Sequence, residues 1–482
     1  MSSVDRHRQI VTAPRSRLLQ QPSRFFALCS SQRSYRRTLV ERSALTPSHR
    51  SSAARIFEEI GVLPQADNLF HQATERMLRA AEMVGLRHHQ QIILAQPKSE
   101  VMVHFPVQMD DGRHRLFKGY RVQHNDALGP YLGGIRFHPR LSLDTVKGLA
   151  VLSTLRASLV RVPLGGAFGG VRCAPTEMSE DERRRVVRRF CSAISHQIGP
   201  AHDIVAPESG ADSQTMAWFL DTLAQTTPEP SRQDQSRAVV GKPGELGGLM
   251  PRGRAAALSV VATLDTLLSD VDLASDGMRV SIMGFGAVGS AVARALATRG
   301  CPIVSVLTQS GALANAQGLD PVALQAHHAR TGGVEGFDGG QTCTEEEFWQ
   351  IESEVLIVAS PERSMDEVRA AKVQARVVVE AGLACTTPAA EDVLMQRCID
   401  LFPDILCSSG SDVAHFLEWN GLRSQPGIRR EEVEEHVLRQ ALFAARRVRV
   451  ARMKHECDWR VAAQCAALER IARVYELRGV FP

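Results

Sequence analysis

The sequence predicts an α/β protein in two parts, the second a doubly wound parallel sheet, closed by helices at its C-terminus. Three observations carry this. The alternating stretches VMVHFPVQM and HRLFKGYRVQH are joined by the turn-former DDGR, which signals a β-hairpin. From Arg279 onward the short apolar runs RVSIM, PIVSVL, VLIVAS and RVVVEAG alternate with helical segments, the pattern of βαβ units. The last stretch, from EEVEEHVLRQALFAARRVRVARMKHE, has helical spacing. A chain of 482 residues has room for two or three domains, and no internal repeat divides it otherwise.

Residues 1–55 run from Arg6 to Arg55 with many arginines and serines, against only Asp5 and Glu41. Arg-rich, Ser-rich and acid-poor is how a mitochondrial transit peptide reads. A disordered extension on a bacterial cytoplasmic protein reads the same way, and lysine-poor, arginine-rich usage suits a GC-rich gene. The tail's eleven arginines outnumber its two acids by more than the whole chain's formal +4 charge. The remainder is mildly acidic, which excludes a nucleic-acid partner on charge grounds. No apolar run approaches the roughly 20 residues of a membrane helix. The scattered cysteines form no C-x-x-C and read as reduced thiols. The adjacent pairs His88/His89 and His327/His328 lack a ligand cluster, so no metal is expected.

The ordered part is expected to begin near Ala53. NLFHQATERMLRAAEMVGL predicts a helix stopped by Gly85, and the hairpin follows. SLDTVKGLAVLSTLRASLV predicts a helix capped at Ser142. SEDERRRVVRRFCSAISHQIG predicts another, with Ser179 and Glu182 at capping-box spacing and a Gly199-Pro200 stop. Between the two lies VPLGGAFGGV, residues 162–171, expected as a glycine-rich loop. The polar stretch Gln225–Ser236 reads as a surface loop.

GFGAVG sets Gly284, Gly286 and Gly289 in G-x-G-x-x-G, directly after a strand and opening a helix. In that context the motif points to a Rossmann dinucleotide fold: a tight turn, a close approach for pyrophosphate, and close helix–strand packing. An NAD site also expects an acid some 20 residues on, for the ribose hydroxyls. Here the next strand ends in Leu307, Thr308 and Gln309, with no carboxylate and no arginine for a 2′-phosphate. Weak or absent binding of NAD or NADP is therefore expected.

By this point the motifs FKGYRVQHNDALGPYLGGIRFHP, VPLGGAFGGV, GKPGELGG, GFGAVG, VVVEAGLACTTPAA and FLEW resemble, in order, those of the glutamate/leucine/phenylalanine/valine dehydrogenase family, glutamate dehydrogenase in particular. The resemblance implies a mixed-sheet substrate and oligomerisation domain over residues 56–240 and a Rossmann domain over 241–420. Helices over 421–482 would pack back on the first domain. It also implies hexamers, a cleft that closes on glutamate and NAD(P), and hydride transfer coupled to oxidative deamination.

The resemblance also places the family's working residues, and this chain departs at each. The lysine of G-P-x-K-G-G, which holds the substrate carboxylate, corresponds to Leu132. The lysine of M-T-x-K, which contacts substrate, corresponds to Arg156. The catalytic lysine of G-G-A-K-G-G corresponds to Phe168, and the proton-relaying aspartate of A-P-D to Glu208. On the cofactor side Arg252 is kept, while Ala256 stands for a threonine, Leu383 and Ser408 for asparagines, and His415 for the substrate-facing serine. Losing general acid–base help costs roughly 10²–10⁴-fold, and losing a preorganised cation roughly 10²–10³-fold. The expectation is a chain without intact catalytic residues, inactive alone. It would regulate within a homo- or hetero-hexamer containing a catalytic glutamate dehydrogenase. Arg156 and His415 are its candidates for gripping an anion or an amino-acid effector. The open alternative is an active NAD(P)-dependent amino-acid dehydrogenase with an altered site, in which Arg156 binds a carboxylate and Glu208 is the base.

Overall fold

The computed structural model describes residues 52–226, 235–424 and 429–479. The arginine-rich tail up to Ser51 and most of the polar stretch Gln225–Ser236 lie outside the described residues. The first helix, α1 (Ser52–Glu59), begins inside the last residues assigned to the tail. Helices α2 (Leu69–Met83) and α3 (His88–Ala95) follow. Asn68 opens α2, its side chain accepting from the Phe70 and His71 amides.

The first sheet has the order β1-β2-β4-β3-β5. Its strands are β1 (Ser99–Gln108), β2 (His114–Asn125), β3 (Tyr131–Phe137), β4 (Gly165–Val171) and β5 (Asp203–Pro207). The predicted hairpin is β1–β2, antiparallel from Ser99↔Gln123 to Gln108↔His114. β2 runs antiparallel to β4, while β3 is parallel to both β4 and β5, so the sheet is mixed. Arg121 of β2 is fully buried. It is paired with Asp203 of β5 (Nε–Oδ2 2.9 Å) and donates to the Ile204 carbonyl at 3.1 Å, locking the sheet's middle to its edge.

Helix α4 (Leu143–Leu159) has the expected Ser142 cap, and α5 (Glu180–Ile194) has the full Ser179/Glu182 capping box. The stretch between them departs from expectation. VPLGGAFGGV is not a loop. Its residues 165–171 form β4, a central strand buried at every position. Glycines are poor strand formers, so the pattern hid the strand. They are required there because α4 lies directly on it: a Cβ at Gly166 would sit 2.2 Å from the Thr154 amide nitrogen. Helix α6 (Ser213–Thr226) ends this half.

After α7 (Arg252–Leu267) the second sheet begins, with the order β12-β11-β10-β6-β7-β8-β9. β6 (Val280–Met283), β7 (Ile303–Thr308), β10 (Val355–Val358), β11 (Val377–Glu380) and β12 (Asp400–Phe402) are parallel, as expected. β8 (Gly311–Ala314) and β9 (Gln341–Cys343) add an antiparallel edge that the sequence did not suggest. The interleaved helices are α8 (Ala287–Ala297), α9 (Pro321–Thr331), α10 (Glu345–Gln350), α11 (Glu367–Lys372) and α12 (Pro388–Gln396). The chain ends in α13 (Asp404–Cys407), α14 (Gly410–Ser424), α15 (Arg430–His455) and α16 (Trp459–Arg478). α16 packs on α2 and α4, back against the first half. Among the described residues no helix is long and apolar enough to cross a membrane.

Candidate active-site cleft

The two halves meet at a cleft lined from both sides. The first half supplies Leu132, Gly133 and Gly134 from β3, Phe168 from β4, Arg156 from α4, and Glu208 just past the carboxyl end of β5. The second supplies Arg252 and Ala256 from the first turns of α7, Val288 from α8, and Ala381–Leu383 past the carboxyl end of β11. Ser408, Asp412 and His415 come from the segment entering α14. The outer ends of parallel strands are where α/β proteins place ligands. The positions named from the motifs, Leu132, Arg156, Phe168, Glu208 and His415, thus converge on one cavity, although they are scattered along the chain.

That cavity is small, at 30 Å³. A water needs some 10–15 Å³ of such space, so it holds about two waters. Phe168 and Leu132 are 1% and 3% exposed and form its apolar wall. The Arg136 guanidinium lies over the Phe168 ring, 5.4 Å from its centroid. Gly134 permits the packing, because a Cβ there would come within 2.8 Å of the Glu208 side chain and 3.3 Å of the Phe168 ring.

The charged groups pair with one another. Arg156 grips Asp412 in a two-pronged pair, Nε–Oδ2 2.8 Å and Nη2–Oδ1 2.6 Å. Glu208 accepts from Arg136 Nε at 2.6 Å and from Arg252 Nη2 at 2.7 Å. Burial opposes its ionisation, but the two guanidiniums outweigh that and hold its carboxyl well below the usual range. Asp412 is shifted the other way: burial raises it, against the pull of Arg156. His415 is buried and both its ring nitrogens lack a protein partner. Burial, with Arg156, Arg252 and Lys242 nearby, pushes its pKa down to about 3, so the ring is neutral.

Two residues of this network, Asp412 and Arg136, escaped the sequence. Arg156 stands among the candidates for gripping an anion, yet its guanidinium already holds Asp412. Nothing in spacing signals that partner, 256 positions away. Arg136, which joins Glu208 to Glu362 across the cleft, was likewise unmarked.

The glycine turn fits part of a dinucleotide. Gly284 (φ +97) and Gly289 are tight against backbone, whereas a Cβ at Gly286 would meet nothing within 4 Å. Gly286 also opens α8 without a side-chain cap, as a phosphate-binding turn requires. At the end of β7, Thr308 Oγ1 donates to the Gly311 carbonyl, and this strand offers no carboxylate. The fold brings one from elsewhere: Glu335 Oε1 lies 2.5 Å from where a Gly311 Cβ would stand, beside the β7–β8 turn. In this conformation the 30 Å³ cavity leaves no room for a nicotinamide ring together with a substrate. The glycine turn leaves open space at Gly286, whereas the cavity between the halves has room only for water.

A mixed sheet facing a dinucleotide-type sheet across a cleft defines the class as a two-part α/β protein of dehydrogenase architecture. Comparison with known proteins makes it particular. The description Glu/Leu/Phe/Val dehydrogenase, dimerisation domain, matches residues 97–225, and Glutamate/Leucine/Phenylalanine/Valine dehydrogenase matches residues 247–479. The chain belongs to this family. It is 33% identical over 418 residues to glutamate dehydrogenase B of Halobacterium salinarum, spanning 87% of this chain and 96% of that one. It is also 33% identical over 416 residues to the glutamate dehydrogenase of Thermotoga maritima, spanning 86% and 99%. Among solved structures, the hetero-hexameric glutamate dehydrogenase of Thermus thermophilus in a leucine-bound form shares 35% identity and a TM-score of 0.81, over 87% of this chain and 99% of that one.

Proposed function

We propose that this chain is a divergent member of the glutamate dehydrogenase family without turnover of its own, acting as the regulatory subunit of a hetero-oligomer with a catalytic glutamate dehydrogenase. The observation that carries this is the pair Phe168 and Leu132. Both are buried at the centre of the cleft, at the two positions where the family motifs carry lysines. An apolar side chain neither moves a proton nor balances a carboxylate, so shape persists there without reactivity. Assembly into a mixed hexamer draws support from the similar Thermus protein, which is a hetero-hexamer.

An amino-acid effector belongs to the same reading, since that similar protein was solved with leucine bound. Arg156 and His415 remain its candidate contacts, with Arg156 having first to exchange Asp412 for the ligand. The competing reading makes Glu208 a general base. Its carboxylate, clamped by Arg136 and Arg252 and held far below neutrality, is a weak base, which speaks against that role.

Purification of the chain alone, and co-expression with a catalytic paralogue carrying all three lysines, tests the proposal. Alone it shows no NAD- or NADP-coupled turnover of glutamate, and in the mixed oligomer it changes the partner's kcat or KM. Turnover by the chain alone, or a partner whose kinetics do not change, rejects the proposal.

A further inference from the structure

The rim of the cleft carries contacts of a different kind from its floor. Between β10 and α11 the chain turns through Pro361, Glu362 and Arg363. Glu362 pairs with Arg136 of β3. Arg363 Nη2 contacts Asp67 Oδ1 at 3.0 Å and Arg363 Nη1 donates to Gln72 Oε1 at 3.2 Å, both at the start of α2. The turn belongs to the second half, and all three partners belong to the first.

Arg136 is shared between halves. Its Nε holds Glu208 from the first and its Nη1 holds Glu362 from the second. Its side chain is 4% exposed and that of Glu362 16%, so this pair is sheltered from solvent screening. Asp67 is 96% exposed, and its pair with Arg363 contributes less.

The backbone of the turn is strained. Arg363 has φ +58, and Ala384, the residue it faces, has φ +52. The Arg363 amide donates to the Ala384 carbonyl at 2.8 Å, and the Ala384 amide donates to Asp404 Oδ2 at 2.8 Å. Arg460 of α16 holds that Asp404 carboxylate, Nη1–Oδ1 2.9 Å. Two bonded non-glycine residues in the left-handed region persist only where the surroundings hold them, and such strain collects at switch regions.

We propose that the Pro361–Arg363 turn is a latch that holds the cleft shut without a ligand, through Arg136–Glu362 at its inner edge and Arg363–Asp67 at its outer edge. The partners divide across the cleft, the strained backbone sits at the point of contact, and the space behind it admits only water. The proposal rests on the regulatory reading in one respect, that a subunit resting closed presents a fixed state to its partner.

Amide hydrogen exchange on the purified full chain, without ligand, tests the latch. Glu362→Gln leaves Arg136 paired with Glu208, so no guanidinium is orphaned. Asp67→Asn is a surface change that leaves folding intact. In the wild type, amides of residues 381–386 and 206–212 exchange about 100-fold slower than an unprotected loop. Glu362→Gln accelerates them about tenfold and Asp67→Asn about twofold, with β2 amides unchanged as the reference. Wild-type cleft amides exchanging at loop rates, or identical rates in wild type and Glu362→Gln, overturn the proposal. Exchange is read on the chain alone, so a failed latch leaves the regulatory reading standing. An unaffected partner likewise leaves the latch standing.

Discussion

Two glycine-rich segments border the cleft, and they spend the same residue differently. In β4 the glycines answer to the scaffold: a Cβ at Gly166 would strike α4, and one at Gly170 would lie 2.0 Å from the Arg136 carbonyl oxygen. In the β6–α8 turn, Gly284 and Gly289 are equally confined, but Gly286 faces open space. Nothing in the protein itself demands glycine at Gly286. The difference separates glycines that the packing requires from one that the packing leaves free. Most of these glycines hold the cleft's shape whether or not chemistry takes place there.

The largest effect is expected in β4. Gly166→Ala forces a Cβ into the Thr154 backbone and should cost about 4 kcal/mol or more, enough to leave little folded protein. Circular dichroism and soluble yield read it directly, and a well-folded variant would mean that α4 can move off the sheet. An intermediate effect lies between the segments, at the cleft floor. His415 titrates near 6.5 when unfolded and is pushed down to about 3 when folded. The unfolded chain therefore binds the extra proton between those values, and stability falls as pH drops below 6.5. Replacing His415 with Leu should remove up to about 1.4 kcal/mol per pH unit from that slope, as read from urea unfolding at pH 5 and 6. An unchanged slope would place the ring in contact with solvent. The smallest effect belongs to Gly286, whose φ of −74 suits any residue. Gly286→Ala should shift stability by less than about 0.5 kcal/mol. Any consequence appears only in dinucleotide titration, and a large loss of Tm would erase the contrast between the segments.

Much of the fold was legible before the structure. The hairpin, the Ser142 and Ser179 caps and the G-x-G-x-x-G turn all depend on neighbours in sequence, so local spacing exposed them. β4 was not legible, because a strand made mostly of glycine has neither alternation nor propensity to signal it. The β8–β9 edge was missed too, its strands being only four and three residues long. Of the site, the motifs located Leu132, Arg156, Phe168, Glu208 and His415, which the fold gathers around one cavity.

What the sequence determined by itself is the identity of each side chain, and with it the absence of ammonium groups at Leu132 and Phe168. That is a matter of covalent structure and needs no coordinates. Tertiary structure alone decided which charges face one another. Arg156 finds Asp412, Arg136 bridges Glu208 and Glu362, and Glu335 arrives beside the β7–β8 turn, all through contacts between segments far apart in the chain. The physical reason is range. Backbone preferences act over a few residues, whereas an ion pair depends on separation in space, which exists only once the two sheets have closed on each other.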